Sequence, residues 1–65
     1  MENNYNKKVQ DELIKLEEKI ENLDALFGTN KFHNLNKVQK VLLTVQKDAM
    51  EVYATCLNER LLNWD

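Results

Sequence analysis

The chain has 65 residues, with one cysteine, one histidine, one glycine, no proline, 31% charged residues and a formal net charge of −2. That length holds a single small domain, and the counts exclude an internal disulfide and any Cys/His metal site with ligand spacing. The mixed-sign, slightly acidic balance argues against a duplex nucleic-acid binder, which needs a basic face.

The first residues, Met1-Glu2-Asn3-Asn4, are polar and lack the apolar core of a signal peptide. No run approaches the roughly 18 apolar residues of a membrane-spanning helix. The expectation is a cytosolic protein with a reduced thiol and no membrane partner.

From Tyr5 onward, apolar residues fall at Val9, Leu13, Leu16, Ile20, Leu23 and Phe27, in steps of four and three. This spacing predicts an α-helix over about 4–27 with one apolar side. Asn3 or Asn4 is placed to cap it. Lys7, Asp11, Lys15, Glu18 and Asn22 form its outer, solvated face. Gly28 then stands where a left-handed residue would end the helix.

Residues 28–35 read as a turn, with Gly28-Thr29-Asn30-Lys31 as turn chemistry. Phe32 and Leu35 are the apolar residues within it, expected to fold back over the end of the bundle. Asn36 followed by Gln39 resembles a capping box, so a second helix is predicted over about 37–63. The two helices would be roughly 35 Å and 40 Å long and so match as an antiparallel pair.

The second helix is more apolar than a hairpin needs. Val38, Leu42, Val45, Ala49, Val52 and Cys56 form one stripe. Beside it runs a second, with Leu43, Met50, Tyr53, Leu57 and Trp64, and with Gln46 and Arg60 in the same row. Two strips serve two partner helices, or one partner and a ligand. The fold class is therefore all-α: an antiparallel two-helix hairpin assembling into an oligomeric bundle. A hairpin this small is marginal alone, and self-association is the remaining route to a core. A homo-oligomer is expected, with a four-helix dimer as the smallest closed unit. Cys56 reads as a small buried apolar residue on a packing stripe.

No catalytic constellation is present. There is no Gly-rich phosphate loop and no Ser/His/Asp or Cys/His set. The Glu-x-x-His step of a two-metal bundle site is missing, so no metal or other cofactor is expected. His33 reads as a solvated turn residue. The sequence predicts a non-enzymatic protein.

Binding residues can be placed at the open end of the hairpin and along the second stripe. At the open end Tyr5, Lys7 and Lys8 would approach Arg60 and Trp64. Rings there could stack on a base and cations could pair with phosphate. Equally, the rings could be an aromatic cap, and the lysines could complement a helix C-terminus. Gln46 and Arg60, set among Met50, Tyr53 and Leu57, need polar partners, in a second subunit or in a ligand. The segment 29–34, next to the start of the second helix, is a third and weaker place for an anion.

Lys19-Ile20-Glu21-Asn22-Leu23, Phe27-Gly28-Thr29, Lys31-Phe32, Leu35, Leu42-Leu43, Gln46, Met50, Tyr53, Leu57 and Arg60 resemble a family of small helical-hairpin proteins. These come from phages and prophages and are named for their similarity to a crAss-like phage protein. The resemblance spans about Tyr5 to Leu61. It departs from the family where Asn36 stands for Pro, Ser or Thr and where Val38-Gln39 stands for Glu-Gln. It implies a phage accessory protein in the host cytoplasm. Small oligomeric phage proteins of this kind include sponges that bind cyclic nucleotide immune signals between subunits. On that reading Tyr5 and Tyr53 stack on bases, Arg60 and Lys8 neutralise phosphate, Gln46 reads a base edge or ribose, and Met50 lines the site. The alternatives are a coiled-coil module for a protein partner and a minor structural phage protein.

Overall fold

The computed structural model describes residues 3–63, with the side chains of residues 3 and 4 left aside. Trp64, expected at the open end, lies outside the described residues. Two long helices, α1 (Asn3–Phe27) and α3 (Lys37–Leu62), flank a one-turn helix α2 (Asn30–His33). α1 and α3 pack antiparallel as a hairpin 50 Å long and 15 by 12 Å across. Three pairs fix the register: Tyr5 meets Arg60, Glu12 meets Tyr53, and Asp24 meets Lys47.

α1 buries the stripe its sequence predicts. Val9 and Leu16 are buried, and Leu13, Ile20, Leu23 and Phe27 are half-buried. Asn3 and Asn4 both lie within the helix rather than ahead of it, so neither is its cap. On the inner side of α1 the Oδ1 of Asn6 is buried with no partner among the described residues.

α3 turns a different side to α1 than the more regular stripe suggests. Its packed side is Lys40, Leu43, Lys47, Met50, Ala54, Leu57 and Leu61, all buried or half-buried. Leu57, fully buried, forms the centre of the core with Val9 and Leu16. The stripe Val38, Leu42, Val45, Ala49, Val52 and Cys56 is exposed. At 100° per residue this packed side lies roughly 150° from that stripe, nearly opposite, with Gln46, Tyr53 and Arg60 in between. Size is the difference: the packed side has three leucines and a methionine, Leu43, Met50, Leu57 and Leu61, whereas the other stripe has one leucine beside three valines, an alanine and a cysteine. The expectation of a buried Cys56 is thereby corrected: its thiol is exposed within the chain.

The connection also differs in detail. The Gly28 N–H donates to the Ala25 carbonyl at 3.3 Å and the Thr29 N–H to the Leu26 carbonyl at 3.0 Å, tightening the last turn. The φ of Gly28 is outside the left-handed region, so it is not the left-handed terminator its position suggests. Thr29 does that work. Its hydroxyl donates to the Leu26 carbonyl at 2.7 Å and accepts from the Phe32 N–H at 3.2 Å. It thus caps α2, a turn of helix inside the segment expected to be an irregular turn. The rings of Phe32 and Phe27 pack 4.7 Å apart, closing this end as expected. Asn36 caps α3 as predicted, its Oδ1 accepting from the Gln39 N–H at 2.8 Å.

Candidate functional site

A two-helix hairpin has two long edges where the helices meet solvent together. In this chain the two edges differ in chemistry.

On α1, Tyr5, Lys8, Glu12, Lys15 and Lys19 follow one another in steps of three and four and are all exposed. That spacing puts them on one side of the helix. On α3, Gln39, Gln46, Tyr53 and Arg60 are exposed and stand seven residues apart, in a row about 10.5 Å per step. The two rows meet. The Tyr53 hydroxyl donates to the Glu12 carboxylate. Arg60 Nη2 donates to the Tyr5 hydroxyl, and its guanidinium carbon lies 5.5 Å from the Tyr5 ring centroid. A guanidinium over a ring face is an attractive arrangement that also holds both groups in place. Among the described residues this edge therefore carries four cations, two tyrosines and two amides against a single carboxylate, which a tyrosine hydroxyl already engages.

The opposite edge is acidic. An open groove of about 540 Å³ is lined by Glu17, Ile20, Glu21, Glu51, Ala54 and Thr55. Towards the closed end, Lys47 spans the same edge, 3.2 Å from Asp24 and 3.4 Å from Glu51. Its hydrogen bonds to Asp24, and then to Glu51, raise the ammonium's pKa above the ordinary lysine value. Its Nζ also stands 5.8 Å from the Phe27 ring centroid. That lysine is neutralised by its two carboxylates, while Glu17 and Glu21 remain. This groove thus carries negative charge and disfavours an anionic ligand.

Of the residues singled out from sequence, Tyr5 and Arg60 are brought into contact. Gln46 and Tyr53 share the Arg60 row, and Lys8 lies beside Tyr5 on α1. Met50 is not on this edge. It packs half-buried against the core cluster, supporting the row from beneath. Lys7 faces outward and pairs with Asp11 at 3.9 Å. Lys15 and Lys19 belong to the edge, although the sequence reading places Lys15 on the outer face and gives Lys19 no role in the site. Their three-four spacing from Tyr5 is present in the sequence, but it does not say which side of α1 borders the Tyr53 and Arg60 row. His33 is exposed in α2 and meets Phe32 edge to face, ring centroids 5.9 Å apart. Among the described residues no cluster of His, Cys, Asp or Glu is placed to hold a metal ion. Among the described residues no helix is long and apolar enough to cross a membrane.

An elongated all-α hairpin with cations and aromatic rings along one edge has the makings of a small ligand-binding protein. The chain belongs to the Sequestin family, whose model matches residues 3–63. The family name suggests the sequestering of a ligand. No curated protein and no solved structure matches the chain.

Proposed function

We propose that the chain is a phage accessory protein that works in the host cytoplasm by binding a cyclic nucleotide immune signal between subunits, so inhibiting host antiviral defence. The observation that carries the reading is the division of charge between the two hairpin edges. Lys8, Lys15, Lys19 and Arg60 gather with Tyr5 and Tyr53, while the acids Glu17, Glu21 and Glu51 line the other side. A cyclic nucleotide offers what the first edge takes: phosphates for the cations and bases for the rings. Arg60 and Lys8 neutralise phosphate, with Lys15 and Lys19 extending the field along α1. Tyr5 and Tyr53 stack on bases, a contact worth about 1–3 kcal/mol per base. Gln46 reads a base edge or ribose, and Met50 backs the row from the core. The family name supports sequestration in general terms. The nucleotide and the anti-defence role are our extension.

Ligand that binds only the folded chain raises its melting temperature. At about one hundred times Kd the gain is about 2.7 kcal/mol, which for a domain this small is a rise of roughly 10–20 °C. A thermal-shift screen over cyclic di- and trinucleotides and cyclic ADP-ribose isomers is expected to yield such a rise with one class. Arg60→Ala is expected to abolish it. A flat response across the whole panel rejects the proposal.

A further inference from the structure

The exposed stripe on α3 has the register of a coiled-coil seam. Val38, Leu42, Val45, Ala49, Val52 and Cys56 alternate in steps of four and three, with no charge among them. Leu42, Ala49 and Cys56 take the heptad a positions and Val38, Val45 and Val52 the d positions. The large members are strongly exposed in the hairpin, Val38 at 65%, Leu42 at 55%, Val45 at 57% and Val52 at 64%. Val41, at 52%, adjoins the stripe.

The chain also carries the surface that a stable interface needs. The chain's accessible surface is 5096 Å², against about 4,300 Å² for a folded monomer of this mass. The excess of about 800 Å² is what each partner contributes to a standard protein interface. A radius of gyration of 15.0 Å, against about 11 Å for a compact chain of this length, says the same thing in another way.

We infer that the stripe is covered by the same stripe of a second copy, running antiparallel, with position i facing position 94 − i. This register leaves no member unpaired. Leu42 faces Val52, Val45 faces Ala49, and Val38 faces Cys56, so each layer sets a larger side chain against a smaller one. A parallel pairing would stack Ala49 on Ala49 between two Val–Val layers, leaving a gap. The α3 dipoles oppose favourably in the antiparallel pair. Its one unfavourable contact is Asp48 near Asp48 of the second copy, on the solvated rim.

The orientation has a consequence for the ligand edge. In an antiparallel pair the rows Gln39, Gln46, Tyr53 and Arg60 of both copies lie on the same side of the seam, with Gln46 at the two-fold axis. The two basic α1 edges then flank one continuous floor. That consequence rests on the nucleotide reading; the pairing itself does not.

Cysteine crosslinking of the full-length chain tests the pairing without any ligand. Cys56 of the two copies would lie about 27 Å apart along the helices, far beyond disulfide reach. The unaltered chain is therefore expected to give no covalent dimer under mild oxidation. Val38→Cys is expected to give one, through the introduced thiol of one copy and Cys56 of the other. Within one chain those positions are also about 27 Å apart and cannot join. Sedimentation velocity should show a dimer for the unaltered chain. Val45→Glu, at a site already exposed in the hairpin, should weaken the dimer about tenfold or more with helicity by circular dichroism retained. Efficient Cys56 to Cys56 crosslinking overturns the orientation. A chain monomeric at high micromolar concentration, or a Val38→Cys variant that does not crosslink, overturns the pairing.

Discussion

Leu57→Ala tests which side of α3 faces α1. Leu57 is 0% exposed and sits between Val9 and Leu16. The substitution removes three buried carbons, worth about 2.4 kcal/mol at 0.8 kcal/mol per methylene, before any cavity term. A two-layer hairpin has solvent close by on both edges and can close around the gap, so the total should stay near the low end of the usual range, about 2–3 kcal/mol. For a domain of this size that lowers Tm by roughly 10–20 °C. The assay is thermal unfolding by circular dichroism at low protein concentration, where contacts between copies contribute least. Val52→Ala is the control, because Val52 is 64% exposed within the hairpin. Its loss at low concentration should be under about 0.5 kcal/mol, as for surface sites generally. If Val52→Ala costs as much as Leu57→Ala in dilute solution, or if Leu57→Ala costs almost nothing, the helices pair through the other stripe.

Gly28→Ala should be tolerated and should raise stability by about 0.4–1 kcal/mol, read as a higher melting temperature. An added Cβ meets only the Ala25 carbonyl oxygen, at 3.8 Å, and the backbone is not left-handed. A loss of stability instead would mean that the residue needs glycine's backbone freedom after all. Lys47 makes a pH prediction. Its raised pKa means that the folded state holds the proton more tightly than the unfolded chain. The stabilisation is fully present below the ordinary lysine pKa of about 10.4 and is lost as pH rises through the raised folded value. The melting-temperature gap between the unaltered chain and Lys47→Met should therefore stay constant through neutral pH and close only in strong alkali.

The α1 helix was legible because its single apolar stripe leaves one way to pack. The start of α3 was legible because Asn36 and Gln39 state a cap in local chemistry. The side of α3 that faces α1 was not legible. Two stripes compete there, and periodicity favours the regular one, while side-chain volume decides for Leu43, Met50 and Leu57. The same ambiguity hid half of the candidate site. That Tyr5 and Arg60 should meet follows from any antiparallel hairpin of these lengths. Which α1 residues border the Tyr53 and Arg60 row depends on how α1 is rotated against α3, and only the packed structure fixes that rotation. Lys15 and Lys19 therefore emerge with the fold, whereas Tyr5 and Lys8 were visible before it. The role of Gly28 was misjudged for a local reason: the Thr29 hydroxyl satisfies the Leu26 carbonyl, so the chain turns without a left-handed residue.

Calorimetric titration of the full chain with the nucleotide that shifts its melting temperature tests the central claim most directly, when run beside two edge variants. A lost charge-assisted hydrogen bond costs about 1.5–3 kcal/mol, so Lys19→Gln on the basic edge should weaken binding about tenfold or more. Glu21→Gln on the acidic edge should leave binding unchanged or slightly tighter. Equal losses from both variants, or a loss confined to Glu21→Gln, would contradict a nucleotide held on the edge where Tyr5 meets Arg60.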